Sequence, residues 1–278
     1  MRQGVGLLGV VAVLAASLYA YERFARRSPL RFTYLTGPIG DARYDELASK
    51  PGWSKTSLRV APGVSLNGLL RRPRGSDAPW LLFYPGNDDH MLRRGQLLLT
   101  KLAEERDVGL AVFAYRGFDS SGGTPHIEDL AADASAILDH VAALPGVARE
   151  RLHVVGFSIG GYLAVRAVAA ANRANHRVSS LSLLASVNDI VMLRRSPWQK
   201  FALGDKLQTQ PFLADVPAPV LVVQGSADQT LAGTAQALAI VNALGQRARY
   251  LEFEGVGHEQ LLDHEPALQG VREHIDQH

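Results

Sequence analysis

Six short, largely apolar runs recur along the chain: Trp80–Tyr84, Leu110–Tyr115, Leu152–Gly156, Leu181–Ala185, Val220–Gln224 and Arg249–Phe253. Each is bounded by Gly, Pro or charge, and none is long enough for a typical helix. Runs of this kind are predicted to be strands buried on both faces of a sheet. The stretches between them carry a helical period. The clearest is Ile127–Leu144, where Ile127, Leu130, Ala131, Ala134, Ile137, Leu138 and Val141 recur every three to four residues. Thr124 is predicted to cap this helix and Pro125 to occupy its first turn. Strand and helix in alternation predict an α/β fold: a mostly parallel sheet with helices on both faces. Residues 57–72 read as an antiparallel hairpin leading in. One stretch breaks the rhythm. Asn188–Val216 mixes Arg194, Arg195 and Lys200 with Trp198, Phe201 and Phe212. It suits a short lid over a site or a long crossover connection, and its aromatics suit core packing and an acyl-chain pocket equally well.

Composition narrows the function classes. Hydrophobic residues at 47% and charged residues at 20% exclude wholesale disorder. A net charge of +2 over 278 residues gives no sign of nucleic-acid binding. The chain has no cysteine, which excludes disulfides, thiolate metal sites and cysteine nucleophiles. Nine histidines include no HExxH. The i, i+4 pair His274 and His278 reads as part of a frayed tail, so no metal site is expected.

The N-terminus stands apart. Gly4–Tyr21 holds 18 uncharged residues, preceded by Arg2 and followed by Arg23, Arg26 and Arg27. At ~1.5 Å per residue such a run spans ~27 Å, enough for a bilayer core. It reads as a single membrane anchor with Tyr19 and Tyr21 at the interface. The alternative is a cleaved signal peptide with Ala15 and Ser17 at a poor cleavage site, which implies a secreted or periplasmic protein. The side of the membrane stays open, because the basic flank and the leading Arg2 point opposite ways. The formal GxGxxG at Gly4–Gly9 has no strand before it and is not read as a dinucleotide site. The expected organisation is therefore an anchor or signal segment at 1–27, a linker at 28–54 and one domain at 55–278.

The chemistry centres on Gly156-Phe157-Ser158-Ile159-Gly160, a GxSxG. Composition alone would supply the pattern roughly 0.15 times in such a chain, so context must sharpen it. The strand Leu152–Val155 leads in and a small-residue helix at Gly161–Ala171 leads out. That setting projects the serine hydroxyl above the sheet at the positive end of a helix. A serine needs a base, and the base an orienting acid. Asp228 lies 70 residues later in Gly225-Ser226-Ala227-Asp228, after one strand. His258 lies 30 residues further on, after the next. Asp189 and Asp205 rival Asp228 for the acid. His264 rivals His258, but Asp263-His264-Glu265 reads as a solvated helix face.

These features, with Tyr84-Pro85-Gly86-Asn87, Tyr115-Arg116-Gly117-Phe118 and Pro219-Val220-Leu221, resemble the α/β-hydrolases of the serine esterase, lysophospholipase and serine-aminopeptidase-like group. The likeness runs from about residue 55 onward. It implies Ser158 as nucleophile, His258 as base, Asp228 as its partner, and an oxyanion hole from the backbone N–H groups of Asn87 and Ile159. Pro85-Gly86 stands where relatives often carry His-Gly, so the loop's support is in question. Asp119 stands where relatives often carry Gly. Arg116 is expected to fix its own loop. The implied activity is cleavage of carboxylic esters, or of thioesters or amides, through an acyl-enzyme, on a small-molecule or lipid-like acyl substrate and without a cofactor. Acyl transfer on the same triad and a non-catalytic binding role are the rival readings.

Overall fold

The computed structural model describes residues 41–87, 90–189, 208–230 and 232–278. Eight strands form one sheet: β1 (Trp53–Ala61), β2 (Val64–Arg71), β3 (Trp80–Tyr84), β4 (Gly109–Phe113), β5 (Leu152–Phe157), β6 (Ser180–Leu184), β7 (Val220–Gly225) and β8 (Ala248–Phe253). Their order across the sheet is β1-β2-β4-β3-β5-β6-β7-β8. The first two pair as the expected antiparallel hairpin, and β2 joins β4 antiparallel. Every later pairing is parallel. All residues of β3, β4, β5, β6 and β7 are buried, as uninterrupted apolar runs require when helices cover both faces.

The helices are α1 (Asp41–Ala48), α2 (Met91–Leu102), α3 (Ile127–Ala142), α4 (Ile159–Arg173), α5 (Gln210–Leu213), α6 (Thr234–Leu244) and α7 (Glu265–Asp276). On one face α1 packs on α2 and α2 on α7; on the other, α3, α4, α5 and α6 touch in succession. The chain runs from β3 outward to β4, then crosses back over β3 to β5. The sheet therefore changes direction beside β3 and β5. In open α/β sheets that is where a crevice forms at the carboxyl ends of the strands.

Four expectations change. Arg249–Phe253, predicted to be buried on both faces, lies in β8 and is only partly buried, because β8 is an edge strand with a neighbour on one side. Part of the predicted linker is folded: α1 lies within it, Tyr44 and Leu47 of α1 are buried, and β1 begins at Trp53, also buried. The Tyr44 hydroxyl donates to the carbonyls of Thr56 and Gly68, tying α1 to the hairpin. Helix α3 is not capped by Thr124. It starts at Ile127 with His126 as N-cap and no side-chain cap, while Pro125 packs beneath Gly117 instead. The tail is not frayed. His274 is buried on α7, because it shares the inner face with Val271 and Ile275. Of the stretch 188–216, Asn188 and Asp189 pair back to Thr209 and Gln208, and Phe212 stacks under the Arg166 guanidinium at 4.1 Å. Residues 190–207, with Trp198, Phe201 and Asp205, lie outside the described residues, as does the N-terminal run with its glycines.

Two buried histidines lie outside the crevice. The Nδ1 of His153 on β5 sits 2.9 Å from the Ser180 hydroxyl. His274 packs edge-on against the His278 ring at 4.9 Å. Burial first, then neighbouring histidines, lowers the pKa of each to about 4. Both are neutral in the folded protein at pH 7, whereas an unfolded histidine titrates near 6.5. Their stabilising effect is complete above pH ~6.5 and is lost as pH falls toward 4. Urea unfolding at pH 7 and pH 5 should show stability dropping by about 2 kcal/mol for each of the two at the lower pH. His274→Gln should flatten that dependence by about half.

Candidate active site

Ser158 stands between the end of β5 and the start of α4, with φ 56° and ψ −122°. A non-glycine residue rarely holds such a conformation, and it survives only where surroundings impose it. Here the Ser158 N–H donates to the Leu184 carbonyl at 3.0 Å. The Ser158 carbonyl accepts from Gly161 N–H at 3.0 Å and Val187 N–H at 3.3 Å. The flanking glycines serve close approach. A Cβ on Gly160 would lie 2.1 Å from the Tyr84 carbonyl oxygen and 2.3 Å from that of Pro85. A Cβ on Gly86 would lie 2.8 Å from the Phe157 ring. The turn after β3 and the turn after β5 are thus pressed together. Ile159, as the first residue of α4, contributes one of the N–H groups that a helix leaves without an internal acceptor.

The loops after β7 and β8 are stitched to one another. Ser226 N–H donates to the Phe253 carbonyl at 3.0 Å and Ala227 N–H to the Val256 carbonyl at 3.0 Å. The Ser226 hydroxyl accepts from Gly255 N–H at 2.9 Å. This stitching brings Asp228 and His258 together: Asp228 Oδ2 lies 2.7 Å from His258 Nδ1. Asp228's side chain is fully buried and that of His258 is 14% exposed. Burial raises the Asp228 carboxyl. Hydrogen bonds from His258 and from the hydroxyl and N–H of Thr230 outweigh it and bring its pKa down to about 2. The His258 ring tilts against Phe157 at 4.7 Å. Gln260 Oε1 braces the loop by accepting from Gly257 N–H at 2.8 Å.

A cavity of about 50 Å³ is lined by Ser158, His258, Gly86, Asn87, Phe157 and Leu262, among others. The structure therefore brings Ser158, His258 and Asn87 to one opening, with Asp228 behind the imidazole. The described rivals, Asp189 and His264, lie elsewhere. Asp189 contacts Gln208 and Gln236. His264 packs on Phe253 at 4.9 Å, Asp263 pairs with Lys101, and Glu265 with Arg272. Among the described residues no cluster of three His, Asp or Glu is built to hold a metal ion.

The loop at Pro85-Gly86 has its own supports. The Tyr115 hydroxyl donates to the Pro85 carbonyl at 2.7 Å. Asp119, buried and at φ 45°, accepts from Leu92 N–H at 2.7 Å, so its carboxylate sits at the positive end of α2, the helix entered from that loop. Arg116 makes a two-pronged pair with buried Asp133, at 2.9 and 2.7 Å, and a third contact with Asp129 at 3.3 Å. It fixes its own loop, as expected.

Sequence reasoning missed Thr230. Its hydroxyl donates to Asp228 Oδ1 at 2.6 Å and its N–H to the same oxygen at 2.8 Å. The hydroxyl oxygen lies 3.1 Å from His258 Nδ1. A lone threonine two residues after an aspartate carries little signal, although Asx-type turns of that spacing are common.

No protein-family model matches the chain. It is similar to an uncharacterized protein of Mycobacterium tuberculosis, 28% identical over 275 residues, covering 95% of this chain and 93% of the relative. It is also similar to the alpha/beta hydrolase domain-containing protein WAV2 of Arabidopsis thaliana, 29% identical over 245 residues, with 81% and 76% covered. Among solved structures it resembles the Pyrococcus furiosus esterase Pf2001, with TM-score 0.66, 14% identity, and 87% and 95% covered. It resembles Est1E of Butyrivibrio proteoclasticus, solved with ferulic acid bound, with TM-score 0.63, 16% identity, and 80% and 96% covered.

The close approach at Gly160 gives a direct test. Gly160→Ala places a methyl against two carbonyl oxygens that belong to backbone and have little room to yield, so stability should fall by about 3 kcal/mol in urea unfolding. Gly122→Ala, whose methyl would have 3.8 Å of clearance, should cost under about 1 kcal/mol.

Proposed function

We propose that this protein of α/β-hydrolase fold is a serine hydrolase that cleaves carboxylic esters through an acyl-enzyme. The observation that carries the reading is the convergence of three loops: Ser158 in a strained strand-to-helix turn, His258 on the same small cavity, and Asp228 at 2.7 Å from His258. In the proposed first step the Ser158 hydroxyl attacks the ester carbonyl carbon while His258 Nε2 takes its proton. The Asp228 carboxylate, ionised at any pH well above 2, stabilises the imidazolium and fixes Nδ1 as the protonated nitrogen. The carbonyl oxygen gains charge and is met by the backbone N–H groups of Asn87 and Ile159. His258 then gives its proton to the departing alkoxide. Water repeats the sequence on the acyl-enzyme. Esters are favoured over amides because an alkoxide leaves with less assistance. The esterase neighbours of known structure support the hydrolytic reading.

The proposal includes membrane attachment through Gly4–Tyr21, carried by the length and apolarity of that run. Among the described residues no helix is long and apolar enough to cross a membrane.

A fluorophosphonate probe and a panel of p-nitrophenyl esters of graded length test the chemistry. Wild-type protein should label and turn over. Ser158→Ala should abolish labelling and reduce turnover by about 10³-fold or more with the fold intact by circular dichroism. Labelling retained in that variant would place the nucleophile elsewhere.

Thr230 is a positioning residue in this scheme, because its hydroxyl occupies the Asp228 oxygen that His258 does not use. Thr230→Val keeps the backbone donor and removes the hydroxyl. A lost hydrogen bond to a charged group predicts about tenfold lower kcat with KM little changed, and Thr230→Ser should restore most of it. Equal losses in the Val and Ser variants would assign Thr230 a packing role only.

A further inference from the structure

We propose that the face formed by α1 and α2 docks on an anionic lipid surface and thereby sets the mouth of the Ser158 cavity against the bilayer. A groove of about 710 Å³ runs between these helices, and its charged lining is Arg43, Glu46, Lys50 and Arg93. Three cations thus face one carboxylate. None of the three makes an ion pair among the described residues. On neighbouring surface Lys55, Arg94, Lys101 and Arg106 each meet a carboxylate. Cations left without carboxylates on one face, when nearby ones are paired, complement a negative partner. In the same groove stands Leu97, 52% exposed, one of two large hydrophobic side chains that are exposed among the described residues. Basic side chains around a protruding leucine are the chemistry of a headgroup-level contact, with charge attracting anionic lipid and the apolar tip entering the boundary.

Two further observations select lipid as the occupant. The described chain begins at α1, the helix that forms one wall of the groove, so the sequence leading into that wall is the one bearing the 18-residue uncharged run and Arg23, Arg26 and Arg27. An anchor there would tether α1, and with it this face, to the membrane through residues 22–40. The groove is linked to the site through one intervening depression. Arg93 and Leu97 also line the next depression along α2, which shares Arg94, Glu259 and Leu262 with the Ser158 cavity. Docking would therefore bring the opening to the interface where acyl chains are found. The inference rests on the membrane reading of the N-terminal run and not on the chemistry of Ser158.

The absence of cysteine makes the test clean. The full-length chain carrying Leu97→Cys, or Leu238→Cys as control, is labelled with an environment-sensitive fluorophore. Leu238 is 42% exposed on α6, on the opposite face of the sheet. Each protein is reconstituted into phosphatidylcholine vesicles with or without phosphatidylglycerol, and quenching by spin-labelled lipid is measured. The label at 97 should be quenched in the anionic vesicles and the label at 238 should not. Arg43→Gln, Lys50→Gln and Arg93→Gln together should lower the docked-to-undocked ratio by about tenfold or more. So should raising salt from about 0.1 to 0.5 M on the unsubstituted face, because surface attraction is screened while apolar insertion is not. An aqueous label at 97 in floated anionic vesicles would overturn the docking face alone. Quenching indifferent to charge and salt would overturn its electrostatic basis. A label shielded but not quenched would put protein over the groove and overturn the lipid assignment. Failure of the full chain to float would overturn the proposal together with the anchor. Fluorophosphonate labelling, measured in parallel, reports separately on Ser158.

Discussion

The contact between the backbone of α4 and the turn after β3 is the constraint from which the rest of the site follows. Gly160 lets the first turn of α4 rest on the carbonyls of Tyr84 and Pro85. That contact exists because β3 and β5 are neighbours in parallel register, with Tyr84 opposite Gly156. The register in turn depends on two fully buried apolar strands. A sheet-level fact thus fixes the distance between two loops that are far apart in sequence. The left-handed conformation of Ser158 is the local cost of fitting a helix so tightly onto a strand.

Electrostatics follow the same geometry. Asp228 is buried, and burial alone would raise its pKa and weaken it as an ion. Two donations from Thr230 and one from His258 reverse that balance. The loop holding these donors is tied to the neighbouring loop by backbone bonds, so the carboxylate and the imidazole are placed by main chain rather than by flexible side-chain arms. On the other side of the cavity, Asp119 and Tyr115 steady the loop that carries Asn87.

Much of this was legible in the sequence, and the reasons differ by element. Strands β3 to β7 were plain because burial on both faces leaves no polar alternation. Ser158 and Asp228 could be placed in loops because each follows such a run, and His258 because it follows the short run Tyr250–Phe253 of the edge strand. Helix α1 was hidden: it is eight residues long, mostly polar, and buries only Tyr44 and Leu47. The cap of α3 was misread, though its start at Ile127 was not, because Thr124-Pro125 has the chemistry of a cap while the proline is used to fill space under Gly117. His274 was misjudged because a histidine near a tail is ordinarily solvated, and only packing of α7 on the sheet removes it from water. Thr230 and Asp119 act through partners that are distant or unremarkable in sequence, so nothing local announces them.

Helix α7 closes one face of the sheet by packing on α2, from which it is separated by more than 160 residues, and Arg106 reaches across to Asp276. During synthesis every strand leaves the ribosome before α7 does. The apolar side of the sheet that α7 covers must therefore wait, exposed, for a segment made after all eight strands. Long-range closures of this kind are slow and leave intermediates prone to associate. Until α7 arrives, that side of the sheet stays open to chaperones and to neighbouring chains.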